Sequence, residues 1–451
     1  MIVSLGIFAA TFGLILTERV HRTVIALAGA VVMIVAGLIF GFYDPDTAIL
    51  SIDFNTIGLL FGMMIIVVLL ERTGFFQYLG ILTAKKTHGN PMLLLLALGG
   101  LTSVLSMILD NVTTIILIAP VTIIVARTLG INPTPILLAE AILSNVGGTG
   151  TLVGDPPNIM IGSAAGFSFN AFLLHALPVA VVAWFVTIFV FYIFYRKEFS
   201  QKPESIEQLE KLNEKDAITD PKMLKMILGV LGLVVALFFA HGALHLEPAI
   251  VAVIGAALAL LLVHHKHDPQ PVLEKVELSV LLFFASLFVI VGGLEHAGVL
   301  ESVSHWILAG ASDNILLTAI IVLWASAVLS ALVDNIPLTV AMIPIVGILA
   351  AQGIAVDLIW WALVLGVGFG GNASPIGSSA GVIIVAKSEQ TDNPITFLGW
   401  MKTGIPATVG GLIVGTIALF IFHSTGYVST EHALVEPRDA METSAVEQLA
   451  H

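Results

Sequence analysis

The sequence contains no cysteine, and only 11% of its 451 residues are charged. Without cysteine the protein can form no disulfide bond, no thiolate metal site and no thiol nucleophile. Soluble domains carry roughly 25% charged residues, so this low charge, together with a hydrophobic content of 57%, indicates a polytopic membrane protein. The net charge of -13 points to no particular partner, because much of the acid lies in the loop 198–220 and in the tail after Ser429.

Three common catalytic motifs are missing as well. The sequence has no Gly-x-x-x-x-Gly-Lys-Ser/Thr phosphate-binding loop, no nucleophile elbow of the hydrolases and no His-Glu-x-x-His zinc motif. Nucleotide hydrolysis by the chain itself is therefore not predicted, and neither is a hydrolase active site. We expect a protein that is not an enzyme and that carries no cofactor and no metal.

Apolar runs long enough to cross a bilayer recur along the chain, and no polar loop between them is large enough to be a soluble domain. The first run has no preceding basic region and no small-residue cleavage site, which favours a retained span over a signal peptide. The predicted fold class is an all-α polytopic membrane protein. Simple spans are predicted at 2–18, 22–42, 54–70, 171–195, 223–241, 248–264, 278–294 and 398–423.

Two regions between these spans have a different pattern. In each, two apolar arms joined by a short polar tip predict a re-entrant hairpin, at 91–128 and at 314–352. An apolar segment follows each hairpin and is broken by glycine, proline and polar residues, at 135–166 and at 358–389. Unwound backbone at membrane depth is tolerated only where it is buried in protein or lines a cavity. In transporters such broken helices typically hold the substrate or the coupling ion.

The two halves of the chain carry matching residues in the same order, which predicts an internal repeat. The first repeat is assigned to 22–195 and the second to 223–424, with an extra span at 1–21, a linker at 196–222 and a polar tail at 425–451. At a shift of 224 (334 − 110), Asp53, Glu71, Gly74, Asp110, Asn111 and Pro120 match Glu277, Glu295, Gly298, Asp334, Asn335 and Pro344. At a shift of 223 (370 − 147), Gly147, Gly148 and Gly154 match Gly370, Gly371 and Gly377.

The distribution of lysine and arginine gives this map an orientation. If residue 1 lies outside the cell and each hairpin returns to its own side, every lysine and arginine except Arg438 falls in the cytoplasm, as the positive-inside rule requires. The first hairpin then opens from the cytoplasm and the second from outside, so the repeats are inverted. We expect a multi-pass protein of the cell membrane, a prokaryotic inner membrane, with a cytoplasmic linker and both termini outside. Inverted repeats with broken helices are typical of alternating-access transporters.

The hairpin tips and the broken segments supply the candidate binding residues. Each tip carries an Asp-Asn pair; such a pair could simply cap the following helix, but an ionisable residue inside a membrane is a functional-site hypothesis by default. The small polar groups of the breaks could likewise only satisfy freed carbonyls. The predicted substrate- or ion-binding residues are Asp110, Asn111, Thr113, Thr114, Asn145, Gly147, Gly148, Thr149, Gly150, Asp155, Asn158, Asp334, Asn335, Gly370, Gly371, Asn372, Ser374, Ser378 and Ser379.

Two further acids add to this prediction. Glu140 lies about one turn before Ser144, on the helix that leads into the first break, and it is a candidate proton relay. Asp155 has Ser378 at the matching position of the second half (378 − 155 = 223), so the first half carries one more acid. The asymmetry suggests that the two halves form unequal ion sites.

Five parts of the chain contain motifs of a known family. They are 109–114 (Leu-Asp-Asn-Val-Thr-Thr) with 119–122, 147–158 (Gly-Gly-Thr-Gly-Thr-Leu-Val-Gly-Asp-Pro-Pro-Asn), 282–288, 334–337 (Asp-Asn-Ile-Pro) with 342–344, and 370–372 with 376–378. These motifs resemble those of the P-protein branch of the arsenical-pump (ArsB) and NhaD-like permeases, and the resemblance covers about 22–424. It implies membership of the ion transporter superfamily, an elevator mechanism with a scaffold domain and a transport domain, and a homodimer.

The tips depart from the Ser-Asn-Thr triplet of the related dicarboxylate carriers, because Asp110 and Asp334 replace the serine. This acid suits a proton or a cation better than a carboxylate substrate. The resemblance thus favours proton-coupled export of arsenite or antimonite, with the neutral trihydroxy acid held by hydroxyl and amide groups such as those of Thr113, Asn111, Asn335 and Ser374.

The alternatives are sodium/proton exchange at Asp110, Asp155 and Asp334, an anion permease, and, as a different class, a passive channel. The coupling ion is expected to be a proton or sodium, with energy supplied by its gradient or by a separate ATPase subunit. The expected partners are a small inorganic substrate and the lipid bilayer, and no nucleic acid.

Overall fold

The structure is a computed structural model, and it describes residues 1–17, 19–200, 203, 206–264, 268–302 and 314–427. Most of the tail predicted at 425–451 thus lies outside the described residues. In the described part of the chain all regular structure is helical. Nine of these described helices are long and apolar enough to cross a membrane, judged by length and composition.

The helices are numbered here in chain order. Two short 3-10 turns, Glu198–Ser200 and Glu214–Ala217, lie in the linker. The α-helices of the first half are α1 Ile2–Leu16, α2 Arg22–Phe40, α3 Pro45–Leu50, α4 Phe54–Arg72, α5 Phe75–Lys86, α6 Pro91–Leu109, α7 Asn111–Leu129, α8 Thr134–Thr149, α9 Pro156–Ala165 and α10 Phe169–Tyr195. Those that follow are α11 Ile206–Lys211, α12 Pro221–Ala240, α13 Pro248–Val263, α14 Gln270–Leu273, α15 Leu278–His296, α16 Ile315–Leu332, α17 Asn335–Ala351, α18 Asp357–Gly370, α19 Ser379–Ser388 and α20 Phe397–Thr425.

The helix lengths differ from the predicted spans in a few places. Helix α1 has 15 residues, or about 22 Å at the usual rise per residue, which is less than the roughly 30 Å of a bilayer's hydrocarbon core. Helix α13, with 16 residues, is also short. Helices α10 and α20 have 27 and 29 residues and each contains one internal proline, Pro178 and Pro406.

Each hairpin consists of two helices that meet at an aspartate. Asp110 joins α6 to α7 and accepts a hydrogen bond from the Thr113 amide at 2.8 Å, and Asp334 precedes α17 and accepts one from the Ile336 amide at 3.2 Å. Asp110 has φ 86° and ψ 157°, a region that costs a non-glycine residue about 1–3 kcal/mol. Asp334 has an ordinary φ of -48°. The first tip is therefore strained, and such strain is most often found at functional sites.

The breaks lie between α8 and α9 and between α18 and α19. In the first, the Asn158 side-chain amide donates to the carbonyls of Gly148, Thr149 and Thr151 at 3.0, 3.2 and 2.7 Å. In the second, the Trp400 indole donates to the Asn372 carbonyl at 2.9 Å. These bonds satisfy carbonyls that lost their helical partners, as membrane burial requires.

Glycines bring each broken helix against the first arm of its hairpin. A Cβ atom on Gly147 would lie 2.5 Å from the Ser103 carbonyl oxygen of α6, and one on Gly370 would lie 2.5 Å from the Ala327 Cα of α16. Small residues at a crossing allow this close approach of two backbones. The same contact therefore recurs in both halves, at positions that the sequence aligns.

The linker is fastened to the membrane helices rather than forming a free loop. Lys85 of α5 donates to the Glu214 carboxylate at 2.8 Å and to the Leu212 carbonyl at 2.9 Å. The hydrogen bond from Lys85 lowers the pKa of Glu214. The Thr219 amide also donates to the Thr73 carbonyl at 3.0 Å. The position of α5 is thus linked to that of the segment between the halves.

Replacing Gly147 by alanine should lower the free energy of unfolding by about 1–3 kcal/mol, the usual cost of overpacking. The reason is that the new methyl group would overlap the α6 backbone. The measurement is the midpoint of thermal unfolding in detergent. Gly229→Ala in α12 is the matched control, because a Cβ there meets nothing within 4 Å. Equal midpoints for the two variants would contradict the proposed close contact.

Candidate functional site

Asparagine side chains from both halves meet at Asn145, near the end of α8. Its amide nitrogen donates to the Asn372 side-chain oxygen at 2.8 Å and to the Ser378 hydroxyl at 2.9 Å. Its side-chain oxygen accepts from Asn111 of the first tip at 2.9 Å. All four residues are buried. Asn145 therefore joins the first tip, the first break and the second break in one hydrogen-bonded group.

The second tip reaches the first break through Asp155. The Asn335 amide nitrogen lies 3.3 Å from each oxygen of the Asp155 carboxylate, which is itself 1% exposed. Asp155 also lies within electrostatic range of Asp110 and Asp334. Each of these two carboxylates repels that of Asp155, and the repulsion is strong in a medium of low dielectric constant. The charge of the site therefore favours the binding of a cation or a proton.

A basic residue outside the predicted set contacts the second tip. Arg22, the first residue of α2, places Nη1 3.2 Å from Asp334 Oδ2 and 2.8 Å from the Ser379 hydroxyl. Its guanidinium also lies over the Phe283 ring, 5.2 Å from the centroid. In the sequence, Arg22 stands out only as one of the positive charges predicted to lie in the cytoplasm. The one sequence feature that could have indicated this contact is the position of Arg22 at the start of an uncharged apolar run. Many arginines at membrane interfaces have the same position, so the feature is not specific.

Several predicted residues orient the others rather than face a ligand in this conformation. The Thr113 hydroxyl donates to Asp110 Oδ2 at 2.7 Å, and the Thr114 hydroxyl donates to the Asp110 carbonyl at 2.6 Å. The Thr149 hydroxyl bonds the Asn145 carbonyl at 2.7 Å. Asn158 and Ser374 bond backbone carbonyls, the latter that of Ala331 at 2.5 Å. The predicted glycines, Gly147, Gly148, Gly150, Gly370 and Gly371, have neighbouring atoms where a side chain would extend.

Glu140 is separate from this group. It is fully buried, and its Oε1 accepts a hydrogen bond from the Thr122 hydroxyl at 2.5 Å. Its Oε2 has no hydrogen-bond partner among the described residues. The buried side chains around this part of α8 belong to an apolar cluster that includes Leu98, Ile115 and Leu143. The structure therefore does not bring Glu140 into contact with the tips or the breaks.

The sequence matches the family model described as citrate transporter (CitMHS) over residues 12–368. It is 39% identical over 426 residues to a 46 kDa membrane protein of Mycobacterium leprae, covering 93% of this chain and 98% of that protein. An uncharacterized transporter of Mycobacterium tuberculosis has the same identity and coverage. The P protein of Homo sapiens is 30% identical over 501 residues, covering 93% of this chain and 60% of that protein. The similarity to P proteins expected from the motifs is confirmed.

The fold is similar to the crystal structure of the YdaH transporter from Alcanivorax borkumensis, with a TM-score of 0.61. The similarity covers 91% of this chain and 100% of that one at 12% sequence identity, so it concerns the fold alone. Together with the candidate spans of the described residues, it confirms the expected all-α, multi-pass fold. Relatives named as transporters agree with the expectation that the chain is not an enzyme.

Glu140→Gln should leave the thermal unfolding midpoint close to that of the wild type, whereas Glu140→Ala should lower it. An ionised carboxylate without a cationic partner is very costly in apolar surroundings, so a neutral amide that still accepts from Thr122 is a good replacement. Alanine leaves the Thr122 hydroxyl unpaired, which costs about 1–3 kcal/mol. The midpoints are measured in detergent, and proton-driven uptake into proteoliposomes is measured alongside.

If Glu140 carries protons during transport, the glutamine variant will be stable but will lose proton-driven uptake. Equal destabilisation by glutamine and by alanine would instead mean that the folded state requires a charged Glu140.

Proposed function

Because this chain belongs to the citrate transporter family, we propose that this membrane transporter is a secondary active one, which couples the movement of a small solute to a proton or sodium gradient. The observation that carries the proposal is the buried group formed by both tips and both breaks. Asn145 and Asp155 each connect parts of the two halves. A site formed at the interface of two repeats by broken helices is where secondary transporters typically bind the substrate and the coupling ion.

The proposed architecture is a pair of inverted repeats, 22–195 and 223–424, that work by an elevator mechanism. The matching glycine contacts of Gly147 and Gly370 support two equivalent units. The tips and breaks would belong to the transport domain. The remaining helices would form the scaffold domain and the interface of a homodimer, as the resemblance to the superfamily implies.

The coupling ion is proposed to bind among Asp110, Asp155 and Asp334. Asp155 stands just before α9 at its N-cap position but makes no side-chain capping bond. Its carboxylate interacts with the side-chain amides of Asn335, at 3.3 Å from each oxygen, and of Asn111. Among the described residues, the Asp110 carboxylate is bonded only to groups of its own helix start. Both carboxylates are therefore available to a proton or to sodium, and their mutual repulsion would be relieved by either.

A neutral or cationic solute suits this acidic site best. Arsenite and antimonite are trihydroxy acids that are neutral near pH 7, and the amides of Asn111 and Asn335 could hydrogen-bond them without thiols. Their proton-coupled export is the proposed activity. Sodium/proton exchange is the second candidate, because the carboxylates of Asp110, Asp155 and Asp334 could bind either cation. A free tricarboxylate such as citrate would meet three carboxylates, so it would enter this site only with a cation that neutralises it.

Asp155→Asn and Asp110→Asn should each fold normally but lose ion-coupled transport. Asparagine has the same shape as aspartate and caps helices about as well, but it cannot be charged. The measurement is uptake into proteoliposomes under imposed pH and sodium gradients, with arsenite, antimonite, sodium, and citrate with and without magnesium. Asp53→Asn is the matched control, because Asp53 caps α4 away from this group.

If both Asp155→Asn and Asp110→Asn retained full ion-coupled transport, the coupling ion would have to bind elsewhere in the protein. Absence of coupled transport for every solute in the wild type would overturn the proposed function itself.

The proposed orientation can be tested with single cysteines, since the native chain has none. Cysteines at Lys86 and Glu207 should react with an impermeant maleimide from the cytoplasmic side, and those at Leu244 and Gln352 from outside. All four positions are exposed. The expectation follows from the one-sided distribution of basic residues. Labelling of Gln352 from the cytoplasm would exclude a second hairpin that opens outward.

A further inference from the structure

Arg22, Asp334 and Ser379 form a closed triangle at the second tip. Arg22 Nη1 bonds both Asp334 Oδ2 at 3.2 Å and the Ser379 hydroxyl at 2.8 Å, and that hydroxyl donates to the same Oδ2 at 2.8 Å. The Ile336 amide takes the other carboxylate oxygen at 3.2 Å. Both oxygens of Asp334 are therefore occupied. The side chains of Arg22 and Asp334 are 34% and 17% exposed, so the pair is not fully enclosed by protein.

In the described part of the chain the first tip has no such cation. Asp110 has the same place in its hairpin, but its carboxylate is bonded there only by groups of Thr113 and Val112, at the start of its own helix. The position that matches Arg22 in the second half (22 + 224 = 246) is Leu246. The two tips thus differ in charge although the sequence aligns them. Because only one of the two equivalent acids is paired with a cation, the site is electrostatically asymmetric, although the repeat by itself would make it symmetric.

We infer that Arg22 is a tethered cation that takes the place of the coupling ion on Asp334 and thereby unloads it. This inference rests on the proposed ion-coupled transport and adds a residue and a step to it. When Arg22 docks on Oδ2, a sodium ion leaves to water, or the Asp334 carboxyl gives its proton to water. When the ion binds, Arg22 withdraws. The carboxylate is neutralised in both states, by the ion or by the guanidinium.

The surrounding charges support such an exchange. A guanidinium cannot be deprotonated in a protein, so it competes with any cation at the same oxygen. Two further carboxylates interact electrostatically with this region. Asp155 is repelled by Asp334. Glu277 attracts Arg22 and repels Asp110. Glu277 precedes α15 and lies within electrostatic range of Arg22. It therefore offers the displaced guanidinium a second partner, which lowers the cost of leaving Asp334.

The test measures cation binding and does not require transport. Sodium binding is measured by calorimetric titration of the purified protein with sodium chloride. Proton binding is measured from the infrared band of protonated carboxyl groups, recorded at several pH values. The part of this band that is absent from the Asp334→Asn variant is assigned to Asp334. Arg22→Gln removes the charge but keeps a donor for Ser379, and Arg22→Lys keeps the charge. Lys85→Gln is the control, because it removes a positive charge from a pair remote from the site.

Arg22→Gln should bind sodium about tenfold more tightly than the wild type, the factor that 1.4 kcal/mol represents, or should show a stronger Asp334 carboxyl band at the same pH. Arg22→Lys and Lys85→Gln should resemble the wild type. If Arg22 had only a structural role, its loss would weaken cation binding. A gain in cation binding therefore distinguishes the proposed role from a structural one.

Unchanged or weaker binding of both cations by a folded Arg22→Gln variant would overturn the inference. That result would leave ion-coupled uptake by the wild type untouched, so the two hypotheses fail separately.

Discussion

Polar backbone inside a membrane must find its hydrogen bonds within the protein, and the two breaks of this chain are built around that constraint. Each break ends one helix and begins another in the middle of a buried segment, which frees carbonyls that no lipid can satisfy. Asn158 satisfies three of these carbonyls, and Trp400 satisfies that of Asn372. The glycines that end the helices also permit the close contact with the hairpin arms. The unwound geometry therefore depends on residues from neighbouring elements, and it persists only while those elements are packed.

Other hydrogen bonds of the tips and breaks connect the halves of the chain. Asn145 lies in the first half but donates to Asn372 and Ser378 of the second, and Asn335 of the second half contacts Asp155 of the first. Each of these bonds satisfies a buried polar group, so whatever separates its two partners must also replace it. A solute or an ion with suitable donors and charge is a natural replacement. This is the physical link between the broken helices and the proposed transport.

The two tips differ more in their charge environment than in their shape. Both tips present Asp-Asn pairs at the starts of helices, yet Asp110 has a strained backbone and no cationic partner in the described structure, whereas Asp334 has an ordinary backbone and Arg22. An acid without a counter-ion suits the uptake of a cation, and an acid already paired suits its release. Under the proposed exchange, the paired tip would release its ion when Arg22 docks, whereas the unpaired tip would hold a cation more readily.

The sequence by itself determined the class of the protein and the candidate residues. Low charge, long apolar runs and interrupted segments are local properties, so the membrane fold, the helix arms that meet at Asp110 and Asp334, and the breaks after Thr149 and Gly370 could all be predicted from them. The resemblance to P proteins also depended on motifs readable in the chain.

The tertiary structure decided which of these residues meet. Sequence spacing gives no direction to a side chain on a helix that is apolar on every face, so the isolation of Glu140, the contact of Asn335 with Asp155 and the docking of the linker on α5 could not be predicted. Arg22 shows this most clearly. It lies far from Asp334 in the sequence, and only the packing of α2 beside the second tip brings the guanidinium to the carboxylate, because a long-range ion pair has no local signature.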